Sequence, residues 1–209
     1  AQVPVKKLGL IVNPIAGMGG SVGLKGTDGV AAEAARLGAV RHSGDRAAAA
    51  LKELLPFGEE MTVLCARGEM GESLVKGLGF PHVECVYETG AETTSDDTKR
   101  AAQAMKDADL LLFAGGDGTA RDIFAALGDK AVAIGIPAGV KIHSPVYAIR
   151  PEAAGKLALK YLEGRCRHTY EAEVVDIDEA AYRDCLRRFS LDENKRVSEL
   201  SEGMKVKFQ

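Results

Sequence analysis

A chain of 209 residues with a formal net charge of −3 is long enough for one well-buried domain, and it has no excess of positive charge for a nucleic-acid or polybasic membrane surface. Its residues are 46% hydrophobic, yet no apolar run is long enough to cross a bilayer. The cysteines Cys65, Cys85, Cys166 and Cys185 are widely spaced with no C-x-x-C pair, which argues against a zinc site or a disulfide framework.

The pattern opens with an apolar strand, Lys7 to Val12. Asn13-Pro14-Ile15-Ala16-Gly17 follows, and glycines continue at Gly19, Gly20, Gly23, Gly26 and Gly29. Pro14 has no N–H, so the strand ladder stops there. An Ala-rich helix is expected over Val30 to Leu37, and another over Arg46 to Leu55, ended by Pro56. Met61 to Cys65 reads as a strand, Met70 to Leu78 as a helix closed by Gly79, and Val83 to Tyr87 as a strand. The polar stretch Thr93 to Thr98 reads as a solvated helix start, with Ser95 opening a helix to about Lys106. A contact with ligand is the alternative for that stretch.

Asp109 to Ala114 is an apolar run of the buried parallel-strand kind. Gly115-Gly116-Asp117-Gly118-Thr119 comes next, then a helical pattern over Ala120 to Leu127 with Ile123, Phe124 and Leu127 on one face. Val132 opens another strand that runs into Pro137-Ala138-Gly139. Pro151 to Leu162 is an amphipathic helix with Pro near its first position. Ala172 to Asp178 reads as a strand leading out of the domain, followed by a mixed-charge tail over 190–209. The alternation implies an α/β fold: an open, mostly parallel sheet with helices on both faces. We place the nucleotide-binding α/β domain at 1–170 and a C-terminal segment at 171–209.

The chemistry concentrates where the fourth strand meets its helix. Glycines there let backbone approach a ligand and adopt positive φ. Thr119 is expected to cap the helix, with Asp122 completing a capping-box-like pair. The helix start favours an anion such as phosphate. Asp117 is the carboxylate in the turn, suited to accept a hydroxyl proton or to hold a metal ion. Such a turn is equally compatible with a plain tight connection. A second glycine turn, at Asn13–Gly20 after another strand, shifts the balance toward a ligand. There is no G-x-x-x-x-G-K-[ST], Val22 breaks G-x-G-x-x-G, and H-E-x-x-H does not occur.

The string GGDGT at 115–119 resembles the signature of the NAD kinase, diacylglycerol kinase and sphingosine kinase superfamily, with phosphofructokinases more distant. The opening IVNPIAGMGG and the turn PAGVK at 137–141 resemble the ATP-NAD kinase-like branch. This resemblance covers roughly residues 6 to 178. It implies an NAD kinase N-terminal-domain-like fold with a short or truncated C-terminal extension, a remnant of the superfamily's β-rich second domain. It also implies an ATP-dependent phosphotransferase acting on a hydroxyl of NAD or a related small molecule. Inorganic polyphosphate is the alternative donor and Mg²⁺ the expected metal. Asp117 would be catalytic and would also ligate the Mg²⁺. Asn13, Pro14, Gly17, Gly19, Gly20, Gly115, Gly116, Gly118, Thr119 and Arg121 would bind nucleotide or phosphate. Gly139, Lys141, His143 and Ser144 are candidate substrate contacts.

The chain departs from the superfamily in three respects. The lipid-kinase Thr and Asn-Asp pair is missing after the PAGVK turn, the Asn-Glu pair of NAD kinases is missing, and 171–209 is too short for the second domain. A catalytically silent nucleotide-binding regulator and a diacylglycerol-type lipid kinase are therefore the alternatives. The expected partners are a small-molecule nucleotide and further copies of the chain in a homo-oligomer, with no nucleic acid or membrane. With no signal-peptide pattern, a cytoplasmic location and free thiols are expected.

Overall fold

Four parallel strands with largely buried side chains, flanked by a fifth, partly exposed edge strand, make the centre of the molecule. The computed structural model describes residues 6–14, 43–90, 93–128, 131–138 and 145–165, together with the backbone of 169–172 and 205–208. The central strands are β1 Lys6–Val12, β2 Met61–Ala66, β3 Val83–Tyr87, β4 Leu110–Gly115 and β5 Val132–Pro137. The described helices are α1 Ser43–Lys52, α2 Glu72–Gly77, α3 Ser95–Ala104, α4 Asp117–Leu127 and α5 Pro151–Leu162. The α/β class with a parallel sheet is as the alternation implied. The helix expected at 30–37 lies outside the described residues.

The sheet order is β3-β2-β1-β4-β5, continued by two short strands, β7 Lys205–Phe208 and then β6 Thr169–Ala172. β7 lies antiparallel to β5 and parallel to β6. The tail reading did not anticipate β7, because its four residues, KVKF, are too few for a periodic signal. The strand expected over 172–178 is seen at 169–172, and 173–178 lies outside the described residues.

Alternation assigns the core to two layers. Leu8, Leu10, Val12, Val63, Leu110 and Leu112 face α1, α2 and α5. Ile11, Leu64, Leu111 and Phe113 face α3 and α4. Because both faces are covered, β4 reads as six consecutive buried residues rather than an alternating strand. Each large aliphatic side chain so buried contributes about 1.5–3 kcal/mol. Gly155 lets α5 lie directly on α1: a Cβ there would sit 2.9 Å from the carbonyl carbon of Ala50.

Local chemistry sets the helix ends. Thr94 caps α3 in a capping box with Asp97, whose Oδ2 accepts the Thr94 N–H at 2.8 Å. Burial alone would raise the Asp97 carboxyl, yet hydrogen bonds from the Tyr87 hydroxyl and from Thr94 hold it below the usual range. The stretch 93–98 is thus a helix start, as its polarity suggested. Pro151 stands in the first turn of α5. The region read as a helix from Met70 begins instead as a 3₁₀ turn, Gly68–Met70, before α2.

β1 lies between β2 and β4. From β1 the chain steps outward to β2 and β3, then returns across to β4 and on to β5. The connections leave β1 and β4 in opposite directions, which opens a crevice at their carboxyl ends.

Candidate functional site at the switch point

The ends of β1 and β4 meet at this crevice. The Asn13 N–H donates to the Ala114 carbonyl at 2.9 Å. Its side-chain Nδ2 donates to Thr119 Oγ1 at 3.1 Å. The Ala138 N–H, just past β5, donates to the Gly115 carbonyl at 3.3 Å. The ends of β1, β4 and β5 are therefore laced together around one turn. Pro14 is buried beside it.

The turn differs from the expected cap. Gly116 is the N-cap, extended at φ −104° and ψ −168°, and Asp117 is already the first helical residue. Thr119 therefore lies inside the first turn, and no side-chain cap bond forms at this end. Its hydroxyl is recruited instead by Asn13 from another strand, and the residue is 3% exposed. The capping pair with Asp122 is likewise not formed, because both residues lie within the helix, and Asp122 is buried.

The glycines are also used differently from the expectation. Among the described glycines, positive φ occurs at Gly68, Gly71, Gly79, Gly128 and Gly164, and none of the three in this turn is in that set. Gly115 is glycine for packing: a Cβ there would lie 2.6 Å from the Thr119 Cβ. Among the described residues, nothing lies within 4 Å of where a Cβ would be at Gly116 or Gly118, so no described side chain fills the space above the turn.

The first N–H groups of α4 have no carbonyl ahead of them within the helix, and they carry the positive end of its dipole. Asp117 is half-buried at the rim of the open space, and Arg121 is exposed one turn along. Arg46, on the first turn of α1, donates from Nη1 to the Pro137 carbonyl at 3.3 Å, which adds an exposed guanidinium to the same rim. The sequence carried no signal for its placement.

Tyr147 was also missed. Its hydroxyl donates to the Gly116 carbonyl, and its ring packs over Gly135 of β5. An isolated glycine inside an otherwise apolar strand was the available hint, since it marks a close approach. Gly17, Gly19, Gly20, Gly139, Lys141, His143 and Ser144 lie outside the described residues.

The arrangement suits an anion held by backbone N–H groups next to one carboxylate. Among the described residues, no three His, Cys, Asp or Glu side chains converge as a metal cage. A single rim carboxylate fits Mg²⁺ carried on substrate phosphates, since that ion keeps waters and phosphate oxygens as ligands.

Residues 8–166 match the family model of the ATP-NAD kinase N-terminal domain. Two solved structures from Bacillus anthracis str. Sterne are similar over 75% of this chain. One, described as a "putative diacylglycerol kinase", is 19% identical with a TM-score of 0.40, and 41% of it is covered. The other, described as one of "diacylglycerol kinases", is 20% identical with a TM-score of 0.38, and 42% of it is covered. The chain thus spans less than half the length of either. No curated protein matches it in sequence. No described helix is long and apolar enough to cross a membrane.

Proposed function

Since the chain belongs to the ATP-NAD kinase N-terminal domain family, we propose that it is the nucleotide-binding part of a phosphotransferase that moves a phosphoryl group from ATP to a hydroxyl of NAD or a related nucleotide. The observation that carries this reading is the Asn13–Thr119 hydrogen bond. It ties the end of β1 to the first turn of α4 at the switch point, with Asp117 at the start of that helix.

Phosphoryl transfer asks mainly for positioning and charge neutralisation. Backbone N–H groups at Gly116, Asp117 and Gly118, with the Asn13–Gly20 loop, would hold the donor's phosphates. Mg²⁺ on those phosphates would neutralise charge as the transferred group leaves ADP. Asp117 would accept the proton of the attacking hydroxyl or hold that hydroxyl in line. Arg121 and Arg46 would add positive charge at the rim. Gly139, Lys141, His143 and Ser144, on the segment after β5, are proposed acceptor contacts. Inorganic polyphosphate is the alternative donor. We further propose the domain division at 170, a homo-oligomeric assembly and a cytoplasmic location.

The test is calorimetric titration of the purified chain with ATP and with NAD, each with Mg²⁺, followed by an assay for NADP. Binding of both with NADP formed is the expected result. Asp117→Asn should then lower turnover by about 10²–10⁴-fold, the usual worth of a general base, with nucleotide affinity little changed. Full activity in that variant would remove Asp117 from the mechanism. Nucleotide binding without product would favour the regulatory reading or another acceptor.

A further inference from the structure

Gly135 of β5 stands in register with Phe113 of β4. A Cβ at Gly135 would fall 2.7 Å from the Tyr147 Cε1, so the missing side chain is the slot that the phenol ring fills. The ring meets Phe113 edge-on, with centroids 5.3 Å apart and planes at 70°. Backbone on both sides of Tyr147 is pinned to the same glycine. The Gly135 N–H donates to the Val146 carbonyl at 3.0 Å, and the Ala148 N–H donates to the Gly135 carbonyl at 3.0 Å. Tyr147 is 2% exposed, and its one polar atom reaches the carbonyl of Gly116.

That carbonyl is the first acceptor of α4, taking the Ala120 N–H at 3.2 Å. With the Tyr147 hydroxyl it has two donors. A trans peptide is planar, with its carbonyl and N–H pointing in opposite directions. Fixing the Gly116 carbonyl from two sides therefore fixes the direction of the Asp117 N–H. Burial first, and the Asp117 charge second, push the Tyr147 phenol well above its ordinary range, so it remains a donor at any physiological pH.

We infer that Tyr147 is a positioning residue: from its slot over Gly135 it aims the Gly116–Asp117 peptide, and with it the first N–H groups of α4, at a phosphate of the bound nucleotide. The inference rests on the proposed reading of this turn as a phosphate site. Tyr147 touches no reacting atom; it acts through the peptide.

Tyr147→Phe keeps the ring, the slot and the contact with Phe113, and removes only the hydroxyl. We expect Mg·ADP affinity to fall by about tenfold, the scale of one hydrogen bond, while adenosine affinity stays unchanged. Amide hydrogen exchange at Asp117 and Gly118 should also quicken in the ligand-free variant. Equal ADP affinity and equal exchange in the two proteins would overturn the role of Tyr147 alone. Parallel loss of ADP and adenosine would also overturn it, since that marks general loosening. If the unsubstituted chain binds no ADP, the phosphate site itself is wrong and both readings fall.

Discussion

Two strand-to-helix turns on the same sheet edge use glycine in opposite ways. After β2, Gly68 has φ +66° and Gly71 has φ +145°, a region that L side chains rarely adopt. The turn folds back on itself: the Gly71 N–H donates to the Gly68 carbonyl at 3.3 Å, and Gly71 bridges to Ala66. After β4, Gly116 has ordinary extended backbone, and α4 starts at once. Here glycine provides room, below for Thr119 and above for whatever approaches the helix start. The first turn consumes its glycines in bending. The second spends none of its glycines on positive φ, and it is the one proposed here to hold phosphate.

Substituting the glycines tests this contrast. The largest effect is expected for Gly115→Ala, whose methyl would overlap Thr119 and displace it from Asn13. Overpacking plus the lost hydrogen bond should cost about 3 kcal/mol in urea unfolding, with nucleotide binding abolished. Gly71→Ala should cost about 2 kcal/mol, because φ +145° is a backbone conformation that L side chains rarely adopt, while the added methyl would meet Cys65 and Leu10 only in ordinary contact at 3.4 Å. Its nucleotide affinity should be unchanged. If it weakened binding as much as Gly115→Ala, the two turns would not be functionally distinct. The smallest effect on stability is expected for Gly118→Ala, with a gain of about 0.5–1 kcal/mol because Ala is the better helix residue. Titration of the same variant should show weaker nucleotide binding, since the methyl enters the open space. Undiminished affinity would mean that phosphates do not sit over Gly118.

Most of the central strands were readable because they are short apolar runs bounded by Gly, Pro or polar residues. Val83 to Tyr87 and Pro151 to Leu162 fall where the pattern placed them. The position of the candidate site was readable for the same reason: a buried strand ending in glycine next to a helical period puts backbone groups at a sheet edge. Thr119 was misread because the capping rule is local, whereas its partner Asn13 is 106 residues away. Positive φ was expected of the turn glycines because composition cannot separate a glycine needed for bending from one needed for space.

The sequence by itself determined the α/β class, the order of the described core elements and the strand end at which the candidate site lies. Periodicity and glycine placement are properties of neighbouring residues, and these suffice for such features. Tertiary structure decided the rest. It set the strand order that makes β1 and β4 neighbours, the recruitment of Thr119 by Asn13, the guanidinium of Arg46 at the rim and the phenol of Tyr147 under the turn. Each of these joins residues far apart in the chain, and such contacts exist only once the sheet has brought its edges together.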